Sequence, residues 1–403
     1  MRLFARLFAA VIVLLDAAGA MAGELDLSAV VAGEVRAFPH APAFADQDDA
    51  TLSPSLIFEP EAVWESESSA DRFTFQPFFH ADADDSNRTH ADIRIANWLH
   101  RGDDWDLIAG IGKVFWGVTE SRHLVDIVNQ TDLVENIDGE DKLGQPMINL
   151  NRHTAIGTIG LFVLPGFRER TFPDARARLR GPLSVDSDLA TYDASAGRGH
   201  VDFAARWGTN FGDWDVGLSH FYGTSREPRL IRTTKADGGV VLAPHYDLIQ
   251  QTGLDLQNTT DALLSKLEVV TRTGHGDRFV AYVAGIEYTL YQIFDGDSDL
   301  GLLAEHQYDG RDESNAPATL NNNDLFVGAR WTLNDTQDTS LLAGAVVDLE
   351  VGTQLFSIEA ERRIGDRMKL ELEGRFSANV ASDDPAAGLR DDDSVTLRLS
   401  VYF

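Results

Sequence analysis

Cysteine is absent from all 403 residues. That absence excludes disulfide staples, thiol nucleophiles and Cys-ligated metal centres. Basic charge is also scarce, with 34 Lys and Arg against 64 Asp and Glu, a net charge of −30. Residues 1–22 hold Arg2, Arg6 and Asp16, so the remainder stands at −31. A chain this acidic lacks the basic footprint that nucleic acid requires, and no nucleic-acid partner is expected. The 11 His are scattered without an H-E-x-x-H or similar spacing, and G-x-S-x-G does not occur. Linear motifs therefore give no reason to expect a metal, a cofactor or an enzyme.

Long apolar runs are missing too, apart from Leu7 to Leu15, which follows Arg2 and Arg6 and precedes Ala20-Met21-Ala22. That run is far shorter than the roughly 20 residues a membrane helix needs. With its basic start and small-x-small end it reads as a secretory signal peptide over 1–22, cut near Gly23. An exported chain without a spanning helix can enter a membrane only by closing its backbone hydrogen bonds into a barrel.

What the chain does have is alternation. Arg367-Met368-Lys369-Leu370-Glu371-Leu372-Glu373-Gly374-Arg375-Phe376 places charge at every second position. Side chains alternate across a strand, so this segment is apolar on one face and polar on the other. The same period gives apolar faces at Leu341, Ala343, Ala345, Val347 and Leu349, and at Leu325, Val327, Ala329, Trp331 and Leu333. Another, Val280, Tyr282, Ala284, Ile286, Tyr288 and Leu290, has the aromatic content of a membrane-interface girdle. The final segment alternates out to Leu399, Val401 and Phe403, and a strand ending on an aromatic residue looks like the assembly signal of bacterial outer-membrane barrels. Barrel-assembly machinery, outer-membrane lipid and lipopolysaccharide are the partners that address implies.

Eighteen strands are predicted, over 24–37, 54–65, 71–83, 89–100, 104–116, 145–152, 157–164, 200–208, 213–222, 245–256, 262–273, 278–291, 299–308, 324–333, 338–350, 353–364, 366–379 and 394–403. Connections after even-numbered strands are short, and the long segments 38–53, 117–144, 165–199, 223–244, 309–323 and 380–393 all follow odd-numbered ones. That is the parity of periplasmic turns and outer loops in a barrel. Segments 145–152 and 245–256 alternate least clearly, which leaves 16 strands as the alternative. Residues 23–403 form one all-β domain, a transmembrane antiparallel β-barrel.

Between Trp105 and Pro173 the chain carries Trp105-Asp106-Leu107, Phe115-Trp116-Gly117, Asp126-Ile127-Val128-Asn129, Asp132-Leu133, Pro146-Met147, Pro165-Gly166-Phe167-Arg168 and Phe172-Pro173. These runs resemble a broad group of proteobacterial outer-membrane porin-like barrels allied to the alginate-export porins. Gln130 departs from the group, which usually has Pro there. The resemblance implies a porin-like channel of about eighteen strands. It does not imply alginate, because the alginate exporters use a strongly basic lumen.

Charge at the bilayer midplane costs several kcal/mol if it faces lipid. Arg94, Arg206, Lys266, Glu268, Arg330, Glu359, Glu371, Arg375 and Arg398 are therefore expected on the lumen wall. Two long loops differ in sign. Segment 117–144 holds Glu120, Asp126, Asp132 and Glu135 among its acids, while Arg168, Arg170, Arg176, Arg178 and Arg180 crowd the next long loop. The expectation is that the acidic loop folds into the lumen and faces the arginines, a constriction that sorts small solutes by charge. The function expected is passive diffusion of small hydrophilic or amphipathic solutes. A polysaccharide exporter would need a continuous basic track, an enzymatic barrel a rim triad, and a structural barrel a closed interior.

Overall fold

The computed structural model describes residues 23–293, 296–381 and 384–403, so segment 1–22, expected as a signal peptide, lies outside the described residues. Eighteen strands form one sheet. They are β1 Gly23–Ala37, β2 Leu52–Ser66, β3 Asp71–Asp82, β4 His90–Arg101, β5 Trp105–Gly112, β6 Gln145–Thr154, β7 Gly157–Pro165, β8 Val201–Phe211 and β9 Trp214–Thr224. They continue with β10 Leu248–Thr260, β11 Leu263–Gly274, β12 Gly276–Leu290, β13 Asp299–Asp309, β14 Asn323–Thr332, β15 Ser340–Asp348, β16 Gln354–Ile364, β17 Met368–Ala378 and β18 Ser394–Tyr402. Each pairs antiparallel with its chain neighbour. The first and last also pair, from Val30 against Tyr402 to Ala37 against Val395, which closes the barrel and leaves no sheet edge.

Alternation decides which face is which. Leu397 and Leu399 are exposed outward at 47% and 40%, while Thr396 and Ser400 on either side of the pair are buried inside. Outward aromatic rings gather at the rim that carries the termini. Trp64, Phe73, Trp98, His100 and Trp105 run ring to ring around β2–β5, and Phe211, Trp214, Tyr288 and Trp331 continue the band. Such a girdle marks the level of a membrane interface. The short turns lie at that same rim, where Ser69 (φ 55°), Asp261 (φ 36°) and Gly365 (φ 63°) take the left-handed conformation that reverses the chain tightly.

Three expectations change. Segment 145–152 and residues 248–256 of the other both lie in full ladder strands, which removes the 16-strand alternative. The strand expected over 104–116 ends at Gly112, because the backbone beyond it bonds to a loop side chain instead of the sheet. A second small sheet is new: Arg229–Thr234 pairs antiparallel with Val240–Tyr246, and Thr191–Tyr192 runs parallel to the latter. It uses residues 240–246, and so the wall strand predicted from 245 starts at Leu248.

Candidate functional site

The segment after β5 turns inward at one buried amide. Asn129 accepts from the Val114 backbone N–H at 2.9 Å and donates to the Gly112 and Leu143 carbonyls at 2.9 and 2.8 Å. One side chain thus joins the point where the chain leaves the wall to the point where it returns. The Leu143 N–H donates to the Gln130 carbonyl, and the Asp132 N–H to that of Asp141, which makes the returning arm a narrow hairpin.

Apolar packing fixes the loop against one side. Leu124, Val125, Ile127 and Val128 form a buried cluster with Met147 of β6, Phe162 and Leu164 of β7, Phe221 of β9, Ile249 of β10 and Phe279 and Val283 of β12. These wall residues point inward, so this part of the lumen face is apolar. Two wall carboxylates clamp the loop backbone from inside. Glu268 of β11, fully buried, accepts from the Val118, Thr119 and Val125 N–H groups and the Thr119 hydroxyl. Glu305 of β13 accepts from the Glu120 and Ser121 N–H groups and the Ser121 hydroxyl.

The loop acids find cations nearby. Glu120 pairs with Arg330 at 2.7 Å and lies 3.8 Å from Lys266, and Asp126 sits 3.3 Å from Lys142. Asp132 is 2.7 Å from Arg94, and Glu135 accepts from His80 at 2.9 Å. The arginine cluster takes other partners. Arg168 pairs with Asp92, Arg176 with Asp48, Arg178 with Asp392 and Arg180 with Asp46, all at 2.6–2.9 Å. Arg170 makes no ion pair among the described residues; its Nε donates to Gln130 at 3.5 Å, and it borders a cleft of about 380 Å³ with Phe172, Glu227 and Arg311. The arginines therefore tie loops to one another and, through Arg168 and Asp92, to β4, and the expected charge-to-charge opposition with the acidic loop is not what the ion pairs show. Arg206 is held bidentate by Asp255 within the wall.

The opposite wall is wet and acidic. Glu359 stands directly across from Glu373, and Glu361 from Glu371, in the β16–β17 ladder. Like charges so placed repel. Lys369 bridges Glu361 and Glu371 at 2.7 and 2.9 Å. Arg375 does the same for Glu359 and Glu373, and reaches Asp138 of the loop at 2.8 Å. Five carboxylates thus share two cations. Glu359 sits at mid-strand and points inward, yet its side chain is 47% exposed, and inward Arg330 and Arg398 are each 37% exposed. Exposure of inward-facing groups at mid-height means solvent inside the barrel.

Two loop groups are tuned by this setting. Enclosure in the barrel, then the charges of Glu135 and Asp138, push the Asp141 carboxyl up to about 6. Burial opposes the charge on His123, but Glu140 at 3.4 Å and Glu268 at 3.8 Å outweigh it and push the imidazole up to about 10.

The apolar anchor and the Glu305 clamp were not foreseen. The signal was present in Leu124-Val125 and Ile127-Val128, two apolar pairs inside an otherwise acidic loop. His80 and His90, directly paired in the β3–β4 ladder, were not foreseen either. They are ten residues apart in sequence, and only the hairpin register brings them beside Asp132 and Glu135.

No protein-family model matches the chain, and no curated protein matches it in sequence. Solved structures do match in fold. One is Wzi of Escherichia coli, described as an outer-membrane carbohydrate-binding β-barrel involved in group 1 capsule assembly. It has 12% identity and a TM-score of 0.54 over 93% of this chain and 84% of its own. Another is OpdO of Pseudomonas aeruginosa, with 13% identity and a TM-score of 0.54 over 95% of this chain and 96% of its own. A second structure of that protein, under the name OccK3, gives 12% and 0.53 over 94% and 95%. The fold is that of the outer-membrane β-barrels.

Proposed function

We propose that this chain is an outer-membrane channel through which small hydrophilic or amphipathic solutes diffuse passively, with a preference for cations. The inward-folded loop covers the wall from β6 to β12 and leaves the water path along β14–β18. The observation that carries this reading is mid-strand Glu359, inward-facing and 47% exposed. Around it the carboxylates outnumber the cations, and charge lining a pore selects its permeant ions. The exporter alternative fits less well, because the β16–β17 wall alternates Glu with Lys and Arg and offers no continuous basic track. Residues 1–22 serve as the export signal in this reading, and the strand ending at Leu399, Val401 and Phe403 as the address for barrel assembly.

The test is reconstitution of the purified chain into planar bilayers under a KCl gradient. Ohmic single-channel steps with a reversal potential on the potassium side support the proposal. A silent bilayer rejects the channel, and a reversal potential on the chloride side rejects the cation preference.

A further inference from the structure

At the end of the barrel away from the termini, four side chains meet where the inward loop touches the β3–β4 hairpin. His80 and His90 come from the wall, and Asp132 and Glu135 from the loop. The His90 Nε2 atom lies 3.7 Å from Asp132 Oδ2 and 3.5 Å from Glu135 Oε1. These spacings are too long for hydrogen bonds. They are close to the roughly 3.4 Å edge of a tetrahedron whose centre sits about 2.1 Å from each donor, the dimension of a zinc site. The three atoms all lie within 4.8 Å of one another.

The surroundings prepare each donor. His90 Nδ1 donates to the Arg88 carbonyl at 3.0 Å, which leaves Nε2 as the lone-pair nitrogen. Nε2 is buried and has no hydrogen-bond partner. His80 Nδ1 contacts both oxygens of Glu135 at 2.9 Å and fixes that carboxylate. Its own Nε2 is likewise buried without a partner, on a side chain that is 0% exposed. Thr171 donates to Asp132 Oδ1 at 2.6 Å, and Arg94 lies 2.7 Å from Oδ2. A carboxylate oxygen has two lone pairs, so Oδ2 can take the guanidinium and an ion together. The His90 side chain is 21% exposed, which gives an ion a path in from water.

We propose that His90, Asp132 and Glu135 bind one divalent transition-metal ion of the zinc class, with His80 orienting Glu135 and water completing the coordination. One imidazole with two carboxylates suits such a metal better than calcium, which takes six to eight oxygens. Bound there, the ion ties the inward loop to the β3–β4 hairpin, and the position of the loop becomes metal-dependent.

A second group, Asp193, His245 and Asp247, lies among the opposite loops, but Arg229 already clamps Asp247 with three contacts of 2.6–3.1 Å. The test therefore uses the full chain carrying His245→Gln, without an affinity tag of histidines, folded in detergent, stripped with chelator and dialysed against Zn²⁺. Elemental analysis should find about one zinc per barrel, falling at least about tenfold in added His90→Gln or Glu135→Gln. Heat-modified gel migration shows in parallel that each variant is folded, and zinc should slow proteolysis within 113–144 only where His90 is intact. Zinc retention unchanged by His90→Gln, or no retention in the parent, overturns the site.

Discussion

Asn129 is only 2% exposed and uses both ends of its amide to hold the inward loop. Alanine there would strand the Val114 N–H and the Gly112 and Leu143 carbonyls, and a single buried orphan costs about 1–3 kcal/mol. Asn129→Ala is therefore expected to lower the urea midpoint of the detergent-folded barrel, with Trp116 fluorescence changing before the sheet is lost. Coincident, unshifted transitions would show that the amide does not hold the loop. His123 gives a pH signature at the same scale. Its folded value of about 10 lies above the ordinary 6.5, so its charge stabilises the loop fully below pH 6.5. That contribution is lost as pH rises through about 10. Loop anchoring, followed by protease sensitivity within 113–144, should weaken progressively as pH rises from 6.5 to about 10. His123→Gln should flatten the profile.

At the scale of the strand, β17 shows how much two neighbouring positions differ. Leu372 faces outward at 39% exposure and Glu371 faces the lumen, where Lys369 holds it at 2.9 Å. Leu372→Arg puts a charge into the lipid band near mid-strand and is expected to cost about 2–4 kcal/mol in vesicle-folding titrations. Glu371→Gln, one residue away, should cost less than about 1 kcal/mol, because the lumen is wet. Equal penalties would mean that the two faces are misassigned. This same contrast made the strands legible in sequence. Lipid outside and water inside force a period of two, and all eighteen wall strands were placed from it, including the short hairpin turns. Ends were read less well where a side chain replaced the ladder. Asn129 draws the backbone off after Gly112, and no periodicity carries that information. The small sheet over 191–192, 229–234 and 240–246 was missed for a related reason. Its alternation resembles that of a wall strand, and only pairing partners distinguish the two.

Over the whole molecule the interior is lopsided, and this was the part hidden from the sequence. The wall from β6 to β12 turns Phe162, Leu164, Phe221, Ile249 and Phe279 inward to meet the loop, while β16–β17 keep Glu and Lys facing water. Local composition shows that charges alternate, but which charges meet depends on the curvature of the closed sheet. Hence Arg94 finds Asp132, and Arg178 finds Asp392 instead of an acid of the inward loop. The lopsidedness leads to a prediction about selectivity. Asp141 opens on the water side, and enclosure together with Glu135 and Asp138 sets its carboxyl near 6. Above that pH it adds a negative charge to a path already rich in carboxylates, and below it the charge is gone. The ratio of potassium to chloride permeability should therefore fall as pH drops from 7 to 5, with a midpoint near 6. Asp141→Asn should fix the ratio at its low-pH value across that range, while Glu359→Gln should lower it at every pH and leave the midpoint in place. If the midpoint survives in Asp141→Asn, a different group titrates the pore, and the water path does not pass this loop.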